Sequence, residues 1–350
     1  MKQKKQVRLS DIAEKLNIST VTVSKALANK EGVGDELREQ IKALATEMGY
    51  KFKSTAAGVA GSTGNIGIVI PARFFSPDAS FYWYIFNHLS KALLEKGWYS
   101  IMELVSDEDE KALNPPRLIS DKKTDGIIFL GQLSFDYIKK LAETYSSFIL
   151  MDYYIPDPEI DCIVNDDYYN SYLITKYLIS MGHKKIQYVG TFNATTSIQD
   201  RYMGFEKAMY ECGLPCSFDK IIDDRNTPAG LIKMKLPEKD QMPTAFVCNC
   251  DMIASRLIQQ LNEEGYKVPD DVSVTGYDNF LSEEEKTVPL TTIGVEPQML
   301  CAMAAELIIN KITGKPYIKG RHLATGKIIV RESVKAIQIS KCNFTIRQVF

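Results

Sequence analysis

From residue 66 onward, short apolar stretches alternate with longer amphipathic ones, and this alternation constrains the fold more than any other feature of the chain. Strands between helices of this length pair in parallel through right-handed crossovers, so helices cover both faces of each sheet. The predicted strands are 66–70, 99–104, 126–130, 148–151, 186–190, 245–248, 272–277 and 292–295. The predicted helices are 81–96, 135–144, 168–181, 202–212, 252–264 and 297–312.

The alternating pattern is too long for one sheet. It covers residues 66–350, which exceeds what one hydrophobic core comfortably holds, so we expect two lobes, each built on a parallel, doubly wound sheet. In open α/β sheets, ligands collect beyond the carboxyl ends of the strands. Two lobes that face each other would therefore share one ligand cleft.

Residues 9–29 have a different pattern, typical of two short helices joined by a sharp turn. Asn17 lies where the turn requires a positive φ, and Ser19 is suited to cap the second helix. An apolar stripe over residues 37–48 predicts a third helix. Three helices of this size form a minimal DNA-reading domain, which we place at residues 1–53. The small, polar stretch 54–65 is predicted to be a linker.

Charge is divided unevenly between these parts. Residues 1–55 carry 11 Lys and Arg against 7 Asp and Glu, whereas the whole chain carries 42 against 44 and has a net charge of −2. A basic head on an acidic body is typical of an anion-binding appendage. The near-neutral total, with 45% hydrophobic residues, excludes a disordered chain and a generally basic nucleic-acid coat.

The sequence carries no recognisable motif for export, membrane insertion or catalysis. The first residues lack an apolar export segment, and no stretch approaches the ~18 apolar residues of a spanning helix, so we expect a cytoplasmic protein without a membrane partner. The seven cysteines form no CxxC pair and are expected to be reduced thiols. The three histidines are far apart and lack metal-ligand spacing, so no cofactor, metal or enzymatic activity is expected. His183 is predicted to anchor a turn.

Seven strings occur in order along the chain: RLSDIAEKLNISTVTVSKALANK, MGY, MGHKKIQYVG, DRYMGF, VPDDVSVTGYDN, PLTTI and IIVRESV. Together they resemble the LacI/GalR family of bacterial transcription regulators, and the resemblance covers about residues 7–335. It implies an all-α helix-turn-helix DNA-binding head, a hinge helix, and an α/β two-lobed core like that of the periplasmic sugar-binding proteins. It also implies a homodimer on pseudo-palindromic, double-stranded operator DNA, hence a nucleoid-associated protein.

The resemblance divides the core, residues 66–350, into two lobes. The N-lobe is expected at about 66–163 and 293–325. The C-lobe is expected at about 164–292 and 326–350.

For the head, the resemblance assigns base reading to Thr20, Val21 and Lys25. Lys25 can donate to guanine O6 and N7, and the other two can contact a thymine methyl group. The resemblance assigns phosphate contacts to Ser10, Thr22, Ser24 and Asn29. The alternative is that these side chains only form a solvated polar face.

The hinge departs from the family pattern. Val59 stands where a leucine usually wedges into the minor groove, the family's arginine is missing, and Gly58 costs about 1 kcal/mol in a helix. Whether a hinge helix forms is left open by the sequence.

For the cleft, Arg201 and Asp278 are charged residues in apolar, strand-end contexts. Burying them requires pairing, and an Arg fork beside a carboxylate suits a polyhydroxylated ligand. The alternative is an ion pair that only stabilises a lobe. The resemblance adds further positions, including Tyr82 from the aromatic run 81–84, whose ring could stack on a sugar: Arg73, Phe75, Tyr82, Asp152, Ser197, Arg225 and Asn249. The family's usual Asn-Asp pair is Asn249-Cys250 here, which leaves room for an atypical effector.

The sequence thus predicts a sequence-specific transcription regulator, a repressor, whose operator affinity is modulated by a sugar or sugar derivative bound between two lobes. A periplasmic-type sugar-binding protein without DNA function is the first alternative, and an α/β sugar-processing enzyme is the second. The effector's identity, the choice between induction and co-repression, and the choice between dimer and tetramer stay open.

Overall fold

The head is a three-helix unit. The computed structural model describes residues 7–27, 32–48, 50, 62–75, 81–281 and 288–337. Helices α1 (Leu9–Leu16), α2 (Thr20–Leu27) and α3 (Asp35–Glu47) pack around Ile12, Val23 and Ile41, each fully buried.

Both turn predictions for the head are confirmed. Asn17 ends α1 in the left-handed region at φ 53°. Ser19 Oγ accepts a hydrogen bond from the Thr22 amide at 3.0 Å, which satisfies one of the open N–H groups at the start of α2.

The remaining elements alternate along the chain. They are β1 (Asn65–Pro71), α4 (Phe81–Glu95), β2 (Tyr99–Val105), α5 (Asp107–Lys111), α6 (Arg117–Ser120), β3 (Gly126–Leu130), α7 (Phe135–Ala142), β4 (Phe148–Met151), β5 (Cys162–Asn165), α8 (Asp167–Ser180), β6 (Ile186–Val189), α9 (Thr196–Glu211), β7 (Ala245–Cys248), α10 (Asp251–Glu263), β8 (Ser273–Asp278), β9 (Thr291–Gly294), α11 (Pro297–Thr313), β10 (Arg321–Ala324) and β11 (Lys327–Ile329).

The strands form two sheets, as predicted. The first sheet has the order β10-β5-β4-β3-β1-β2 and is parallel throughout. The second has the order β11-β9-β8-β7-β6, in which only the β11–β9 pair is antiparallel. Helices α4 and α11 cover one face of the first sheet, and α8 and α9 cover one face of the second. The two-lobed α/β fold is therefore confirmed.

Two of the three expected lobe boundaries fall inside strands, whereas the third, 325/326, falls between β10 and β11. β5 belongs to the first sheet through Asn165, so the boundary at 163/164 cuts it. β9 pairs with β8 over all four of its residues, so the boundary at 292/293 cuts it too. The chain crosses between the lobes after Asn165, after Gly294, and between Ala324 and Lys327. The corrected boundaries follow from hydrogen-bond pairing, which the hydrophobic pattern does not report.

His183 anchors the turn between α8 and β6, as predicted. Its ring is 1% exposed and lies 3.0 Å from Thr244 Oγ1 through Nδ1 and 3.1 Å from the Lys335 carbonyl through Nε2. Burial lowers the pKa of this imidazole, although the Lys335 carbonyl opposes the shift. The neutral ring therefore ties the last described segment to the second lobe.

Among the described helices, none is long and apolar enough to cross a membrane. Within the same ranges, no three His, Cys, Asp or Glu side chains are grouped so that they could hold a metal ion.

Candidate functional site

A cavity of about 370 Å³ lies between the two sheets, beyond the carboxyl ends of their strands. This volume is typical of small-molecule sites. All nine ligand positions predicted from the sequence line it: Arg73, Phe75, Tyr82, Asp152, Ser197, Arg201, Arg225, Asn249 and Asp278. Sequence reasoning missed other lining residues, which include Phe74, Phe81, Thr195, Cys250, Met252 and Phe280. These six lie within three positions of a predicted residue, whereas Pro228, Ala229 and Leu231, which also line the cavity, lie three to six positions after Arg225.

Asp152 and Tyr82 form the first-lobe side of the polar site. Asp152 follows β4 at φ 72°, and the Tyr82 hydroxyl donates to its Oδ2 at 2.9 Å. Removal from water raises the pKa of Asp152 to about 7, and the negative charge of Asp167 adds to the effect. Arg201 opposes this shift but does not cancel it. A carboxyl group in the cavity wall therefore titrates near neutral pH.

Arg201 forms the centre of the second-lobe side. Its Nε donates to Asp167 Oδ1 at 2.7 Å, and its Nη1 donates to the Asn249 carbonyl at 2.5 Å. Its Nη2 donates more weakly to Asp278 Oδ1 at 3.4 Å. The guanidinium lies 3.6 Å from the centre of the Tyr277 ring and is 6% exposed. Arg201 therefore lines the cavity and also lies at the centre of a buried ion-pair network.

Asp278 ends β8 with a φ of 97°, an unusual conformation for a residue with a side chain. Burial raises the pKa of its carboxyl to about 6, Arg201 opposes the shift, and Asp167 reinforces it. Asp167, the first residue of α8, is itself buried, and burial raises the pKa of its carboxyl. Three carboxyl groups thus surround one guanidinium.

Arg225 is held by the buried Asp224. Its Nε and Nη2 donate to Asp224 Oδ2 at 2.9 and 2.6 Å, and the Asn249 amide donates to the same oxygen at 3.0 Å. Burial favours the neutral acid, but hydrogen bonds from Arg225 hold the pKa of Asp224 below its ordinary value. Asn249 also donates to the Val189 carbonyl at 3.1 Å, so its side chain is fixed against β6.

Arg73 is similarly held in the first lobe. Its Nη1 donates to Asp107 Oδ1 at 2.8 Å and to Glu110 Oε2, and its Nη2 donates to the Gln132 carbonyl at 2.7 Å. Across the cleft, the Ser197 hydroxyl lies 2.9 Å from the Thr195 hydroxyl.

Aromatic rings close one side of the cavity and join the two lobes. Phe280, just past β8, contacts Phe81 at 5.6 Å and Tyr84 at 5.2 Å between ring centres. Phe74 lies 5.6 Å from Tyr82 in the first lobe. The cavity therefore combines charged walls with a flat, apolar rim.

The predicted loss of a polar anchor at Cys250 has a structural counterpart. Cys250 lines the cavity, and the carboxyl group one residue later, Asp251, is buried away from it. Asp251 accepts hydrogen bonds from Thr292 Oγ1 at 2.6 Å and from the Phe280 amide at 2.9 Å. It holds the Phe280 loop in place and is not among the residues that line the cavity.

In the head, the predicted base readers form an exposed face of α2. Thr20, Val21 and Lys25 are exposed, and Val21 has 62% of its surface accessible. Of the predicted phosphate contacts, Ser10 and Ser24 are exposed, whereas Thr22 is half-buried with its hydroxyl 2.8 Å from Ser19 Oγ. Asn29 and Val59 lie outside the described residues.

Comparison with known protein families matches two parts of the chain. Residues 8–52 match "Bacterial regulatory proteins, lacI family", and residues 175–334 match "Periplasmic binding protein-like domain". The first range contains α1 to α3, and the second contains most of the second lobe together with α11 and β10.

Curated relatives match along nearly their whole length. The HTH-type transcriptional repressor PurR of Vibrio parahaemolyticus is 28% identical over 94% of this chain and 99% of its own. PurR of Pasteurella multocida is also 28% identical, over 94% and 98%. These relatives are transcriptional repressors and not enzymes.

Solved structures share the fold. The lac repressor dimer bound to operator and the anti-inducer ONPF superposes with a TM-score of 0.67 at 20% identity, over 95% of this chain and all of that one. The CelR–cellobiose complex gives the same TM-score and identity over 94% and 100%. With a lacI-type head, a periplasmic binding protein-like core and repressors as relatives over the whole length, the chain belongs to the LacI family of bacterial transcription regulators.

Proposed function

We propose that this protein is a sequence-specific transcriptional repressor whose affinity for double-stranded operator DNA is set by a small ligand in the cavity between the lobes. The observation that carries the proposal is the combination of an exposed α2 face with a polar cavity assembled from both lobes. A ligand changes DNA affinity only if it binds the two lobe arrangements with different affinity. A homodimer would place two heads on a pseudo-palindromic operator.

The DNA-binding part is tested by selecting bound sequences from a random duplex library with the full chain. Lys25→Ala is expected to relax the base preference at one position of each half-site, because a bidentate contact to guanine is worth about 1–3 kcal/mol of discrimination. The control is Lys15→Ala, an exposed lysine on α1. Equal weakening on all sequences would reassign Lys25 to phosphate contact, and a chain that selects no sequence would contradict the proposal.

For the effector, we infer a sugar or sugar derivative. Carboxyl and amide groups on both lobes suit ligand hydroxyls, and aromatic rings at the rim suit a sugar face. Among solved structures of the same fold, one is a complex with cellobiose and another is a complex with D-xylulofuranose.

A purine-related compound is the second candidate. The curated relatives named PurR favour it. The ring-lined rim is compatible with it as well, because aromatic side chains stack on flat heterocycles. A thermal-shift screen of the full chain against sugars and purine bases separates the two, since only the correct class raises the unfolding midpoint. A regulator of this kind would act in the cytoplasm, where the chromosome lies.

A further inference from the structure

Three arginines and two aspartates line the cleft, and the carboxyl groups paired with those arginines bring the whole ionisable cluster to more carboxyl than guanidinium groups. Among the described residues, three arginines and no lysine line the cavity. Each arginine is paired with at least one carboxyl group: Arg73 with Asp107 and Glu110, Arg201 with Asp167 and Asp278, and Arg225 with Asp224. Asp152 adds a carboxyl group whose hydrogen bond comes from a neutral donor, Tyr82. When all are ionised, six carboxylates face three guanidinium groups.

The arginines are engaged by these partners and are poorly placed to receive an anion. Arg201 directs donors from all three of its nitrogens to protein oxygens. Arg225 does the same with donors to Asp224 and to the Pro228 carbonyl. A phosphate or carboxylate ligand would therefore bind beside carboxylates that already neutralise both guanidinium groups, and those carboxylates would repel it.

The two carboxyl groups that line the cavity come from opposite sides of the cleft. Asp152 follows β4 in the first sheet, and Asp278, which is only weakly paired with Arg201 at 3.4 Å, ends β8 in the second. Two like charges across one cavity repel each other, and a cation placed between them would attract both lobes at once.

We infer that the effector carries a positive charge, such as a protonated amine on its sugar or heterocyclic scaffold, which seats between Asp152 and Asp278. The inference rests on the proposed function, because it takes the cavity as the effector site. A cation bound by a carboxylate from each lobe holds the two lobes together, so ligand binding favours the closed arrangement.

The two carboxyl groups of the cavity wall also bind protons, mainly because burial disfavours their charged form. In the empty cavity, Asp152 with a pKa of about 7 and Asp278 with a pKa of about 6 take up protons near neutral pH. The groups that face Asp152 are Tyr82, Asp167, Arg201 and Asp278; those that face Asp278 are Arg201, Asp167, Tyr82, Cys250 and Asp251. A cationic ligand competes with these protons, so its affinity rises as the carboxyl groups ionise.

The experiment compares matched probes on the full chain by thermal shift and calorimetry. The probes are hexosamines, the parent hexoses, hexose phosphates, and purine bases with and without an aminoalkyl substituent. We expect amine probes to bind at least roughly tenfold more tightly than their neutral parents, and to tighten further between about pH 5.5 and about pH 7. Phosphates should give no shift. Asp278→Asn should remove the advantage of the amine, and Asp136→Asn, on the exposed side of α7, should not.

The outcomes separate this inference from the proposed function. Neutral parents or phosphates that bind as tightly as the amines, or a panel in which no amine binds, would overturn the inference. If neutral sugars bind and alter operator affinity, the proposed function stands while the inference fails. If amines bind in the cleft but operator affinity never changes, the charge assignment stands while the proposed function fails.

Discussion

At the scale of single residues, Arg201 shows what the sequence predicts and what it does not. Its apolar context indicates a buried arginine that needs a partner, and the structure places it in the cavity wall beside Asp278, as expected. Its stronger partner is Asp167, which the sequence does not single out, because that residue looks like an ordinary acidic residue at a helix start. Arg201 therefore lies in the wall of the ligand cavity and also forms an ion pair within its lobe.

Asp152 leads to a pH-dependent prediction at this scale. The native state holds a proton on this carboxyl up to a pKa of about 7, above its ordinary value of 3.8, so its contribution to stability falls as pH rises between those values. Asp152→Asn should therefore raise the unfolding midpoint of the ligand-free protein at pH 8 but leave it little changed at pH 4, and a gain of 1 kcal/mol corresponds to roughly 2–4 °C. Differential scanning calorimetry at both pH values measures this.

The matched control for that experiment is the exposed Asp136→Asn. An equal gain at both pH values would show that the asparagine acts through packing and not through charge. A loss of stability at pH 8 would show that the ionised carboxylate is stabilising in the empty cavity.

At the scale of helices and strands, strands with an apolar run were predictable, and short or charged strands were not. The eight predicted strands all exist within about two residues, because most of them contain such a run, including the edge strands β2 and β6. β10 and β11 were missed because they lie largely exposed at sheet edges and carry charged residues. β5 was missed because four residues between polar neighbours are too short to show a pattern.

The contact between α8 and α9 yields a prediction at this scale. A Cβ added at Gly204 would collide with the backbone carbonyl of Tyr168, so the two helices approach as closely as they do only because this residue has no side chain. Gly204→Ala should lower the free energy of unfolding by about 1–3 kcal/mol, despite the better helix propensity of alanine. Urea denaturation measures the loss.

Met203→Ala is the matched control on the same helix, since Met203 is 42% exposed and its truncation should have a small effect. If Gly204→Ala proves neutral or stabilising, the helices can separate without cost and the close approach is not required for the fold.

At the scale of the whole molecule, the uneven distribution of charge along the sequence indicates which part of the protein would bind DNA. The acidic body would be repelled by phosphates, so attraction depends on the small head. The place of the cavity could be predicted because strand ends converge in any open α/β sheet, whereas most of its predicted lining residues came from the resemblance to the LacI/GalR family. The carboxyl groups that pair with Arg73 and Arg201 could not be predicted, since Asp107, Glu110 and Asp167 become their neighbours only after the sheets form. Asp224, in contrast, directly precedes Arg225 in the chain.

Salt provides the test at this scale. If the head carries the phosphate contacts, operator affinity should fall by about 10³-fold or more between 50 and 200 mM salt, as for other proteins with several such contacts. Fluorescence anisotropy with a selected duplex measures the slope. A nearly flat slope would contradict electrostatic docking by the head.

The three chain crossings between the lobes have a consequence for synthesis. The first lobe takes β1 to β5 from early in the chain, but α11 and the edge strand β10 come from residues after the second sheet's β6 to β9. During synthesis on the ribosome, the fold of the first lobe therefore stays incomplete while most of the second lobe is translated. The buried faces that α11 covers, including Ile128 and Ile149, stay open during that time. Both halves of the cleft consequently mature together and late, so a nascent chain has no functional sensor until almost all of it has emerged.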